Sequence, residues 1–142
     1  MEIYFAGSIR GAEADKSIFK RFIAHLTKHG KVLTEHSFDF DYKQEIKQDD
    51  QKIFELDTGW LKDADALVAE VSSPSLGVGY EIGLFEAMGK PILCLYRRQE
   101  GRRLSAMIGG NRKLRNVEYD REEEALSAMD DFIDAVQESS HT

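Results

Sequence analysis

Ala66-Leu67-Val68-Ala69-Glu70-Val71 is an almost unbroken apolar run, interrupted only by Glu70. A strand with one wet face alternates apolar and polar residues, so a run of this kind predicts a parallel strand covered on both faces. Downstream come a Gly/Ser/Pro loop over 72–79, a short helix over Tyr80–Met88 closed by Gly89, and a strand at Pro91–Tyr96. Upstream, a helix reaching about Lys62 carries Ile53, Leu56, Trp60 and Leu61 on one stripe. Farther out, Ile3–Ala6 and Lys31–Glu35 read as strands. Between Asp15 and Lys28, Ile18, Phe19, Phe22, Ile23 and Leu26 recur at helical spacing, and Gly30 stands where a terminating glycine belongs. Leu104–Ile108 reads as a short helix, Val117–Tyr119 as a weak fifth strand and about Arg121–Gln137 as the last helix, with Glu138–Thr142 a frayed tail. The first half of Ser37–Gln51 reads as a long loop. Strand–helix alternation predicts an α/β fold: an open parallel sheet of about five strands with helices on both faces, Rossmann- or flavodoxin-like, forming one domain over residues 1–142.

Composition narrows the function classes. The chain has 142 residues, 42% hydrophobic and 32% charged, with a formal net charge of −7. That sign argues against a nucleic-acid polymer as partner, because such sites need a basic face. It leaves room for a single nucleotide held by a few local donors. No apolar run approaches membrane-spanning length, and the N-terminus enters a strand-like run without the features of a signal peptide. One cysteine, Cys94, excludes an internal disulfide framework, which makes the cytoplasm the expected location, or the nucleus in a eukaryote. The four histidines are read as scattered and without HxxxH-type spacing, and so as giving no support for a metal site.

In an open parallel sheet, ligands bind beyond the carboxyl ends of the strands. The loops after Ala6, Glu35, Val71 and Tyr96 are therefore the ones to search. After the first strand comes Gly7-Ser8-Ile9-Arg10-Gly11, where glycines allow close approach, Ser8 offers a hydroxyl and Arg10 a cationic fork suited to phosphate. The segment equally fits a plain strand-to-helix turn. After the third strand, Ser73-Pro74-Ser75-Leu76-Gly77-Val78-Gly79-Tyr80-Glu81 sets Glu81 in the first turn of a helix. There it could simply complement the helix dipole, or project an ionised carboxylate into the cleft as a nucleophile. Asp57 shares the apolar stripe of its helix, where a carboxylate is costly unless it is paired or lines a cavity. It is either a satisfied structural Asp or an acid tuned by its surroundings. Tyr4 and His36 lie near the same sheet edge, although packing is the commoner fate of a strand Tyr and a structural hydrogen bond that of a lone His. Glu70 reads as paired or at a strand edge.

The segments IYFAGSIRG (3–11), VLTEH (32–36), D-x-x-W-L-x-x-A-D (57–65), VAEVSSPSLGVGYEIG (68–83), GKPILCLYR (89–97) and LSAMI (104–108) occur in this order. Together they closely resemble the 2'-deoxynucleoside 5'-monophosphate N-glycosidases of the nucleoside 2-deoxyribosyltransferase-like superfamily. The resemblance runs from Ile3 to Ile108 and, more loosely, through the final helix; the loop Ser37–Gln51 departs from it. It implies that Glu81 is the catalytic glutamate, Asp57 the second carboxylate and Tyr4 a residue beside the reacting sugar. It further implies that Ser8 and Arg10, within the 7–11 loop, lie near phosphate and sugar, and that Ser75 binds phosphate. Gly77 and Gly79 would supply backbone donors and room. Ser105 would reach the phosphate from a neighbouring subunit, which implies a homodimer.

The expected reaction is hydrolysis of a deoxynucleoside 5'-monophosphate to free base and 2-deoxyribose 5-phosphate, by the two-carboxylate logic of retaining glycosidases and with no metal or organic cofactor. The rivals are transfer of the sugar to a second base, hydrolysis of CMP-like ribonucleotides, and a non-catalytic nucleotide-binding module on the same fold.

Overall fold

The computed structural model describes residues 1–8, 13–34 and 49–140. Its elements are β1 (Glu2–Gly7), α1 (Glu13–Leu26), β2 (Lys31–Thr34), α2 (Asp50–Asp63), β3 (Ala66–Glu70), α3 (Leu76–Ala87), β4 (Ile92–Arg97), α4 (Ala106–Gly109), β5 (Arg115–Tyr119) and α5 (Glu122–Ser140). The five strands form one sheet in the order β2-β1-β3-β4-β5, every pair parallel, with Ile3 opposite Val32 and Ala66 opposite Ile3. This is the flavodoxin-like order, whose switch point lies between β1 and β3.

Alternation along each strand sorts the core into two layers. Ile3, Phe5, Val68, Leu93 and Leu95 face α1 and α5, packing on Phe19, Phe22, Met129 and Ile133. Tyr4, Ala6, Leu67, Ala69 and Cys94 face α2 and α3, packing on Leu61, Val78, Ile82 and Phe85. All five residues of β3 are buried, as its continuous apolar run requires.

Several local expectations are corrected. Helix α3 begins at Leu76, not Tyr80, because Ser75 caps it: the Ser75 side chain accepts from the Val78 amide. Gly30 is absent from the positive-φ glycines; it is needed because a Cβ there would lie 2.3 Å from the Met1 carbonyl oxygen. Gly89, at φ +74°, is the glycine that does terminate a helix in the left-handed region. Leu56 turns outward and is exposed, leaving Leu61 as the buried residue of α2. Helix α5 continues to Ser140, so 138–140 are helical where a frayed tail is expected.

Candidate active site

Tyr4 lies on the face of β1 covered by α3, and its hydroxyl donates to Oε2 of Glu81 on that helix. Glu81 is buried, and its second oxygen, Oε1, has no hydrogen-bond partner among the described residues. A buried carboxylate oxygen left without a donor is rare in a native protein, because the desolvation it suffers is uncompensated. The arrangement fixes one oxygen and leaves the other, also buried, without a donor among the described residues. Glu81 stands in the second turn of α3, not the first, so Tyr4, rather than the helix end, is the specific group acting on it.

Asp57 lies on α2, which packs beside α3 over the same face of the sheet. It is half-buried, and its Oδ1 is shielded from solvent. One turn earlier on α2, the Phe54 ring meets that of Tyr80, the neighbour of Glu81, with centroids 6.5 Å apart. The two carboxylates therefore belong to adjacent helices on one side of the sheet.

Beyond the ends of β3 and β4 lies a cleft of about 460 Å³ whose wall includes Ser75, Gly79, Tyr96, Arg103 and Ser105. Ser75 caps α3 and Ser105 caps α4, accepting from the Met107 amide at 3.3 Å. In each case the hydroxyl's own O–H is left to donate elsewhere. Gly77 sits among the first amides of α3, which lack intrahelical acceptors. The Gly79 amide is already committed to the Ser75 carbonyl at 3.1 Å, so Gly79 contributes space rather than a donor: a Cβ there would meet nothing within 4 Å. Ser8 is buried just past β1. Gly7 answers to packing, since a Cβ would approach the Phe19 ring to 2.9 Å. Ile9, Arg10, Gly11 and His36 lie outside the described residues.

Sequence reading missed two groups in this cleft. The Tyr96 hydroxyl is buried without a partner among the described residues, and Arg103 is a cation on the cleft wall. The period-two pattern of β4 puts Tyr96 on the same face as Ile92 and Cys94 at the carboxyl end of the strand, a signal that could have found it.

Two other buried groups are structural. Glu70 accepts from the Ser72 amide at 2.7 Å, from the Ser72 hydroxyl at 2.9 Å and from the Tyr119 hydroxyl, so it is paired, one of the two fates expected for it. Burial pushes its carboxyl above the ordinary range, and the bonds from Tyr119 and Ser72 offset this only in part. Burial likewise pushes the Cys94 thiol up to about 12, which removes it as a nucleophile at neutral pH.

One part of the histidine reading is corrected: HxxxH-type spacing is present. His25 and His29 stand four apart, a spacing visible in His25-Leu26-Thr27-Lys28-His29, and both contact Asp130. Burial pushes the Asp130 carboxyl up, but the hydrogen bonds from His29 and His25 outweigh it and hold the group below the usual carboxylate range.

The chain is 53% identical over 111 residues to mouse 5-hydroxymethyl-dUMP N-hydrolase, covering 76% of this chain and 64% of that one, so it spans slightly less than two thirds of the mouse protein. It is 46% identical over 137 residues to a putative 2'-deoxynucleoside 5'-phosphate N-hydrolase 1 of Nematostella vectensis, covering 93% of each. Its fold is similar to that of a Clostridium botulinum CMP N-glycosidase, with TM-score 0.67, 24% identity, and 92% and 98% of the two chains covered. The family model for nucleoside 2-deoxyribosyltransferase matches residues 3–129, and the chain belongs to that family.

Proposed function

We propose that the chain hydrolyses the N-glycosidic bond of 2'-deoxynucleoside 5'-monophosphates, with Glu81 as nucleophile. The observation that carries this reading is the Tyr4–Glu81 pair: a buried carboxylate held at Oε2 and, among the described residues, left without a partner at Oε1. The names of the mouse and Nematostella relatives support a deoxynucleotide substrate. The cleft supports a phosphorylated one, since hydroxyls of Ser75, Ser105 and Tyr96, the Arg103 guanidinium and the first amides of α3 are the donors a phosphate takes. Ser8 and the rest of the 7–11 loop complete the substrate contacts in this reading.

Oε1 of Glu81 attacks C1' as the bond to the base breaks, while Asp57 gives the departing base its proton. Water then attacks C1' of the glycosyl-enzyme, returns a proton to Asp57 and frees Glu81, releasing 2-deoxyribose 5-phosphate. The absence of a 2'-hydroxyl eases formation of the cationic transition state. Phosphate contacts hold the sugar in register with the carboxylates.

In this reading the enzyme is a cytoplasmic homodimer, and Ser105 serves the neighbouring subunit's site. Leu76 and Met107, large apolar side chains exposed beside the cleft, support a partner surface there. No helix among the described residues is long and apolar enough to cross a membrane.

Base release by wild type and Glu81→Ala, measured on dGMP, dCMP and CMP with and without a free acceptor base, tests the proposal. Hydrolysis of deoxynucleotides that vanishes in Glu81→Ala is expected. Activity of the variant within a few-fold of wild type removes Glu81 as nucleophile. Base exchange without net hydrolysis makes the chain a transferase.

A further inference from the structure

On the opposite face of the sheet from Tyr4 and Glu81, three metal-ligating side chains converge. The backbone keeps coiling past the end of α1, with Lys28 donating to the His25 carbonyl and His29 to that of Leu26, so the two imidazoles fall on one side. Their ring centroids are 6.1 Å apart. Asp130 of α5 reaches between them, its Oδ1 2.8 Å from His25 Nε2 and 2.7 Å from His29 Nε2. The three ligand atoms lie within 4.8 Å of one another. The histidine side chains are only 16% and 21% exposed, so both rings are held by packing rather than free to turn.

We propose that His25, His29 and Asp130 form a binding site for a borderline divalent transition cation of the zinc class, joining α1 to α5. Two neutral imidazoles and one carboxylate make a familiar three-ligand set, with water in the fourth position. Hard cations such as Mg²⁺ gain little from imidazole nitrogen. Tetrahedral ligands at about 2.1 Å from a zinc ion stand about 3.4 Å apart, so Asp130 must withdraw by roughly 0.6 Å. Its side chain is 43% exposed and has room to do so. In the bound state each Nε2 lone pair and Oδ1 face the cation, and each ring carries its proton on Nδ1. The site lies apart from the reaction and supplies nothing to it; it clamps the first and last described helices together.

The test uses tag-free, chelator-treated protein titrated with Zn²⁺, Co²⁺ and Mg²⁺. Expected are one equivalent of Zn²⁺ bound, visible tetrahedral Co²⁺ bands, and a thermal midpoint raised by about 5–10 °C at a hundredfold excess of free Zn²⁺ over its dissociation constant. Mg²⁺ should do none of this, and Asp130→Asn and the His25→Ala/His29→Ala pair should lose the shift while deoxynucleotide hydrolysis is unchanged. Should those variants fail to fold, histidine carbethoxylation of wild type, mapped by peptide mass spectrometry, decides the matter: Zn²⁺ must protect His25 and His29. The proposal is overturned by absent stoichiometric uptake, by equal uptake in the variants, or by unprotected His25 and His29.

Discussion

The Tyr4 hydroxyl on β1 donates to the Glu81 carboxylate on α3, joining residues 77 apart in the chain. Tyr4 cannot move, being fully buried in the central sheet, so it sets the orientation of Glu81 from a rigid element. Tyr4→Phe keeps the ring and removes the donor. We expect kcat to fall about 10²-fold with little change in KM, in line with the loss of one buried donor in an active site. Stability should fall by about 1–3 kcal/mol, because the buried carboxylate then lacks a donor among the described residues at both oxygens. Steady-state kinetics with a urea melt check both, and an unchanged kcat would make Tyr4 a packing residue.

Ser75 both caps α3 and lines the cleft. Replacing a cap by Ala costs about 0.5–2 kcal/mol, whereas Gly costs a few tenths. Ser75→Gly should therefore melt close to wild type and still show a raised KM for the monophosphate. The KM for the corresponding deoxynucleoside, which has no phosphate, should stay put. Equal effects on both substrates would limit Ser75 to capping. Tyr96→Phe should follow the same pattern through its buried hydroxyl.

Ser75 and Ser105 line one cleft within a single chain, so assigning Ser105 to a neighbouring subunit needs its own experiment. Ser105→Ala mixed with Glu81→Ala, after exchange of subunits, should regain a population of sites with wild-type KM, because the second variant supplies an intact Ser105 to the first. Persistence of the Ser105→Ala KM in the mixture would assign Ser105 to its own chain's site.

Gly7→Ala should destabilise the fold by roughly 1–3 kcal/mol, as expected for overpacking a filled core. The new Cβ meets the Phe19 ring at 2.9 Å, so the smaller Phe19→Leu should recover part of the loss in a double-mutant cycle. Strict additivity of the two substitutions would show that the clash is relieved elsewhere.

The Glu70 carboxyl titrates above its ordinary 4.5 because it is buried. A proton held more tightly in the folded than in the unfolded chain stabilises the fold at low pH. That contribution is fully present below the unfolded value and is lost as pH rises through the folded one. Glu70→Gln cannot ionise, so its urea midpoint relative to wild type should drift upward as pH rises above the ordinary carboxylate range. Parallel curves would show that the three hydrogen bonds to Glu70 cancel its desolvation.

The layers of this fold are local facts of the chain. The apolar run at Ala66–Glu70 and the helical spacing of Phe19, Phe22 and Leu26 each report which faces are buried, because side-chain direction repeats every two residues in a strand and every three to four in a helix. The carboxylates at 57 and 81 were legible as candidates for the same reason: each sits in a segment whose periodicity or loop chemistry it disturbs. What could not be read locally is what a residue meets. Leu56 falls on an apolar stripe yet is exposed, while Leu61 is the buried residue of α2. Gly30 has a helix-terminating position but is demanded by the Met1 carbonyl. The spacing of His25 and His29 is plain in the sequence, while Asp130, 105 residues from His25, joins them only when α5 returns beside α1. The Tyr4–Glu81 bond likewise exists only because the parallel crossovers set β1 beside β3 and lay α3 over that face. Periodicity specifies which way a side chain points along its own element. Which group it finds there depends on strand order and helix packing, and those are properties of the assembled sheet.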